Sequence, residues 1–137
     1  MNYLNNRSNR NYLGFTKCKS FKKSHNDILA LLIDKKCDVN ILDNNSQTPL
    51  HIACYKGNVA LVEILLRNKC ECDVNISDNN SQTPLHIACD KGNVALVEIL
   101  LRNKCVVNQC DNLNKTPLNL AVEGGHTKVV TMLLSRK

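Results

Sequence analysis

The sequence predicts an all-α solenoid of helix pairs with projecting β-hairpin-like fingers, and three observations carry that expectation. Thr48-Pro49-Leu50-His51 returns as Thr83-Pro84-Leu85-His86 and again as Thr116-Pro117-Leu118-Asn119. The 34-residue block from Cys37 to Cys70 is repeated from Cys72 to Cys105 with only two differences, Leu42 against Ser77 and Tyr55 against Asp90. With no Trp, two Phe and three Tyr in 137 residues, burial has to come from Leu, Ile, Val, Ala and Cys, which suits stacked short helices. A chain of this length has room for one modest domain.

Charge separates the first segment from the rest. Residues 1 to 26 carry six basic side chains (Arg7, Arg10, Lys17, Lys19, Lys22 and Lys23) and no acidic one, whereas 12 basic and 12 acidic residues follow from Asp27 onward. The net charge of +6 therefore belongs to the leader, and residues 1–23 are expected to be a basic, partly disordered N-terminal extension. The opening residues contain no unbroken apolar run of signal-peptide length, and no later stretch reaches the roughly 18 residues of a membrane span. The expected setting is intracellular, cytoplasmic or nuclear, with reduced thiols and no membrane span.

Local signals define each repeated unit. Thr48 is suited to cap a helix, Pro49 fits the first helical position where no N–H is needed, and Gly57 can close the helix in the left-handed conformation. A second helix is expected from near Asn58. Val59-Ala60-Leu61-Val62-Glu63-Ile64-Leu65-Leu66-Arg67 is apolar on most sides, as a helix between neighbours must be, with Glu63 and Arg67 spaced i, i+4 on the wet face. The turn formers of Asp73 to Gln82 then predict a hairpin-like loop leading to the next Thr-Pro.

Thr-Pro-Leu-His-x-Ala-x-x-x-Gly, followed by Leu-Val-x-x-Leu-Leu and Asp-Val-Asn, resembles the ankyrin repeat. The resemblance covers residues 24–137 and implies a half unit at 24–47 and full units at 48–82, 83–115 and 116–137, about the minimum that buries a continuous core. The glycine usual in the finger turn is replaced by Ser46, Ser81 and Asn114, so a neighbouring Asn is expected to take the positive φ. Lys36-Cys37, Lys69-Cys70 and Lys104-Cys105 stand for the usual Gly-Ala, and Glu71 and Cys72 read as an insertion that loosens the second finger.

The residues with the most reactive chemistry fall in repeat phase, which favours packing over catalysis. Cys54 and Cys89 match a small buried slot in the first helix, and Cys37, Cys70 and Cys105 match the Ala before the finger. Cys72 and Cys110 are the candidates for redox sensitivity, and Cys70-Glu71-Cys72 lacks the second pair that zinc spacing requires. The resemblance implies that His51 and His86 bond the preceding Thr and nearby backbone, tying finger to helix, and that His25 and His126 open second helices. No nucleophile, His and carboxylate form a recognisable catalytic motif, and no glycine-rich phosphate loop is present. An enzyme, a metal site and a cofactor are therefore not expected.

The function that the resemblance implies is protein binding, by a monomer, on the concave face made by finger tips and inner helices. Carried over position by position, that face presents Asn44, Asn45, Gln47, Tyr55 and Lys56 from the first full unit. Asn79, Asn80, Gln82, Asp90 and Lys91 come from the second, and Asn112, Leu113, Lys115 and Glu123 complete the face. Tyr55 and Asp90 are the only difference between the copies on this face, which makes Tyr55 the expected anchor. The competing reading is a nucleic-acid or acidic-surface binder acting through the basic leader; a salt-sensitive activity that vanishes on removing residues 1–23 would mark it.

Overall fold

A computed structural model describes residues 39–67 and 72–136. The expected extension at 1–23, the helix of the half unit, and Cys37, Cys70, Glu71 and His25 lie outside them. The described residues form three helix pairs: α1 (Pro49–Lys56) with α2 (Val59–Arg67), α3 (Pro84–Lys91) with α4 (Val94–Arg102), and α5 (Pro117–Glu123) with α6 (Thr127–Leu134). First helices stack on first helices and second on second. The fingers between them are hydrogen-bonded turns, with no strand among the described residues.

Each first helix starts as its sequence dictates. Thr48 is extended (φ −89°, ψ 169°), its hydroxyl accepts the His51 N–H, and the His51 ring accepts the Thr48 N–H in return, a reciprocal cap that Thr83 and Thr116 repeat. Pro follows at the first helical position, where its missing donor costs nothing. Gly57 ends α1 at φ +66° with its N–H on the Ala53 and Cys54 carbonyls, and Gly92 does the same for α3. Only seven or eight residues long, these helices would not persist alone, so their stability is tertiary.

That tertiary contribution comes from one core shared by the stack. Leu50, Val62, Leu65, Leu85, Leu96, Val97, Leu100 and Val129 are fully buried, and so are the small residues Ala53, Cys54, Ala88 and Cys89 that the first helices contribute to the same core. Truncating one such Leu to Ala is expected to cost about 2–5 kcal/mol. The second helices close the other side; their ion pairs Glu63–Arg67 (3.8 Å) and Glu98–Arg102 (3.5 Å) are solvent-exposed and contribute little.

Two sequence expectations change. The positive φ in the finger turns belongs to Ser46 (+58°) and Ser81 (+59°) themselves rather than to a neighbouring Asn, and to Asn114 (+62°) in the third finger; Lys104 (+63°) likewise keeps the left-handed conformation of the glycine it replaces. The reason is that turn closure requires the residue at that position, whatever its type, to turn left-handed. Asp43 and Gln47 pair through the Asp43 N–H and Gln47 carbonyl at 3.0 Å while the Ser46 N–H donates to the Asp43 carbonyl. The second change concerns the insertion. The Asp73 N–H donates to Asn40 Oδ1 as the Val106 N–H donates to Asn75 Oδ1, both at 2.8 Å, so Cys72 stands where Cys105 stands and the two extra residues fall between Arg67 and Cys72. Cys72 packs half-buried against the core, and burial pushes its thiol up to about 12, with Asp73 adding to the effect. A redox role for Cys72 is disfavoured on that ground.

Candidate functional site

The site expected from sequence is the row of first helices and finger tips, and its geometry starts with an aspartate absent from that expectation. Asp43 Oδ1 accepts the N–H groups of Asn45 (2.8 Å) and Gln47 (2.9 Å), and Asp78 and Asp111 hold the next two fingers in the same way. Desolvation works to raise the Asp111 carboxyl, but the Lys115 and Leu113 N–H groups and the Gln82 amide together hold it below its usual 3.8. The signal was in the sequence: an Asp stands five residues ahead of every Thr-Pro.

The fingers are tied to each other. The Asn79 N–H donates to the Asn45 carbonyl and the Asn112 N–H to the Asn80 carbonyl, both at 3.0 Å. Side chains add rungs: Asn112 Nδ2 donates to the Asn79 carbonyl (3.1 Å), Ser81 Oγ to Asn112 Oδ1 (2.7 Å), Gln82 Nε2 to Asp111 Oδ2 (3.1 Å), and Gln47 Nε2 to Asp78 Oδ2 at a longer 3.4 Å. Asn79 Nδ2 reaches the Asn44 carbonyl at 3.4 Å. Of the expected face residues, Gln47, Asn79, Gln82 and Asn112 thus spend side-chain hydrogen bonds inside the stack, while Asn44, Asn45 and Asn80 project outward.

The helical part of the row is less committed. Tyr55 is 43% exposed, and Lys91 Nζ from the next helix lies 5.7 Å from its ring centroid, within cation–π range. Lys56, Asp90 and Glu123 are exposed, and Lys115 Nζ reaches across to Glu123 Oε2 at 2.9 Å. Leu113 is the most exposed large apolar residue described, at 74%. The sequence brings these residues to one row through repeat phase; it does not show that Lys91 turns back onto Tyr55 or that Lys115 closes on Glu123.

The described histidines and the buried cysteines are structural in geometry. His51 is fully buried, its Nδ1 faced by the Thr48 N–H (3.1 Å) and hydroxyl (2.9 Å) and its Nε2 set 3.0 Å from the Gln82 carbonyl; His86 repeats the arrangement onto the Lys115 carbonyl. His126 lies at the start of α6, but its Nε2 reaches back to the Asp90 carbonyl at 2.9 Å rather than capping its own helix. Burial raises the Cys54 thiol and pushes Cys89 up to about 12 and Cys105 to about 11, far from reactive thiolates. Cys110 is exposed.

Outside this row, an open groove of about 240 Å³ between α2 and α4 is lined by Glu63, Leu66, Arg67, Ile99, Arg102 and Asn103. Its two arginines are already paired along their own helices. Among the described residues no group of three or more His, Cys, Asp or Glu is placed to hold a metal ion, and no helix is long and apolar enough to cross a membrane. Residues 17–78 and 70–137 match a family model described as ankyrin repeats (3 copies).

Proposed function

The chain belongs to the ankyrin-repeat family, and from that premise we propose that it is a non-catalytic interaction module that holds a partner protein on the concave face of its stack. Ankyrin repeats are generally protein-interaction modules, which supports the coarse reading; the face is our assignment. It comprises the tips Asn44, Asn45, Asn79, Asn80, Asn112 and Leu113, the rungs Gln47 and Gln82, and the helical side chains Tyr55, Lys56, Asp90, Lys91, Lys115 and Glu123. A monomer in the reducing cytoplasm or nucleus suits a chain in which Cys54, Cys89 and Cys105 serve as buried packing groups.

One observation carries the reading. Two nearly identical copies differ on this face only at Tyr55 and Asp90, and both side chains are exposed. Tyr55 is the large, rigid, half-apolar side chain that interface anchors favour. Affinity capture with wild type beside Tyr55→Ala tests it. A partner retained by wild type is expected to lose roughly 30-fold in affinity for the variant, the equivalent of a hot spot of about 2 kcal/mol. Affinities within about twofold would remove Tyr55 from the face.

A further inference from the structure

We infer that the partner segment seated on the first two full units is acidic and carries an apolar side chain that packs on Tyr55; this inference rests on the interaction reading above. Lys56 and Lys91 close the last turns of α1 and α3, which stack on each other, and both are exposed. Among the described residues neither has a carboxylate within ion-pair distance, whereas Lys115, in the finger that leads into α5, is neutralised by Glu123. The Lys91 ammonium leans toward α1 over the Tyr55 ring. That posture gathers two unpaired cations and one aromatic face at the same end of the row.

The net positive charge falls along the stack. The position held by Tyr55 in the first unit is Asp90 in the second and Glu123 in the third, and the position held by Lys56 and Lys91 becomes Gly124. An acidic side chain is therefore attracted over α1 and the near side of α3, and finds no free cation toward α5, where Lys115 is already paired with Glu123. The same gradient orients the segment, with its acidic, apolar end on the first full unit. A neutral or basic segment would leave both lysines unpaired and gain only the Tyr55 contact.

The test uses the full chain as bait for a displayed library of random peptides. Enriched peptides are expected to carry two or more Asp or Glu beside an apolar residue. Lys56→Glu with Lys91→Glu should weaken their binding at least tenfold, and Lys56→Arg with Lys91→Arg should keep it within about threefold. Matching melting curves guard against a folding effect, and both lysines are exposed enough to tolerate the changes. Enriched peptides without acidic residues, or binding indifferent to the charge reversal, would overturn the acidic segment while leaving protein binding standing. Preference for a single-stranded oligonucleotide over the peptides, again lost on charge reversal, would overturn it in favour of phosphate recognition. A library that yields no binder sinks both readings together.

Discussion

The Nε2 atom of His51 lies 3.0 Å from the carbonyl oxygen of Gln82, so the ring that caps α1 also holds the following finger. Because Nδ1 accepts the Thr48 N–H, the proton sits on Nε2 and donates to Gln82. A second proton would have to occupy Nδ1, where it faces donors. Burial holds the His51 pKa below 6.5, offset in part by the Gln82 bond and by Asp78 and Asp43. A depressed native pKa means that the unfolded chain takes up the proton first. The stabilisation is complete above 6.5 and is lost as pH falls through the lower native value. The urea midpoint is expected to fall between about pH 7.5 and about pH 5. His51→Asn, which keeps a cap but loses the bridge, should be about 1–3 kcal/mol less stable at neutral pH and show a flatter pH profile. An unchanged wild-type midpoint would contradict this.

Ser46 and Lys104 hold left-handed backbone at φ +58° and +63°. A side chain in that region costs about 1–2 kcal/mol, of which glycine's extra unfolded-state entropy returns roughly half. Ser46→Gly and Lys104→Gly are each expected to stabilise the chain by about 0.5–1 kcal/mol in urea titrations. Ser81→Gly should gain less, because it also removes the 2.7 Å bond from Ser81 Oγ to Asn112 Oδ1. Equal gains at Ser46 and Ser81 would mean that this bond contributes nothing.

What was legible in the sequence was local. Thr48-Pro49, Gly57 and the apolar run from Val59 to Leu66 specify their own conformations within a few residues, so helix ends and pairs could be read directly. The relationships between units could not. Lys91 over Tyr55 and His126 on the Asp90 carbonyl depend on the stacking distance between helices. The place of Cys72 depends on which of two nearby thiols a core slot accepts. Asp43, Asp78 and Asp111 were visible as a recurring letter, but in a stretch full of turn formers only the geometry distinguishes the residue that gathers the N–H groups from those that merely tolerate the turn.

Thiol labelling separates packing cysteines from an accessible one. Desolvation raises Cys54 and pushes Cys72 and Cys89 to about 12 and Cys105 to about 11, so near neutral pH all four are protonated. With iodoacetamide at about pH 8, peptide mapping should show Cys110 modified early. Cys54 and Cys89, with no exposed surface, should react only as fast as the chain unfolds. Early modification of Cys54 or Cys89 would show that the core around them opens locally.

Gly124 stands where the preceding unit has Lys91, and its neighbour His126 explains the exchange. The His126 ring fills the space beside both Gly92 and Gly124, so a Cβ at either glycine would collide with it. Gly92 also needs its φ of +69°, but Gly124, at φ −80°, has a backbone that any residue adopts. The imidazole alone therefore excludes a side chain at position 124. Gly124→Ala should displace the ring from the Asp90 carbonyl and cost about 1–3 kcal/mol. In a His126→Ala background the same change should cost almost nothing. Gly124→Lys with His126→Asn restores the Lys-Gly-Asn run of residues 91–93, and should lie closer to wild type than Gly124→Lys alone. The non-additivity expected in urea denaturation is about 0.5–3 kcal/mol, and strictly additive costs would mean that the histidine does not select the glycine.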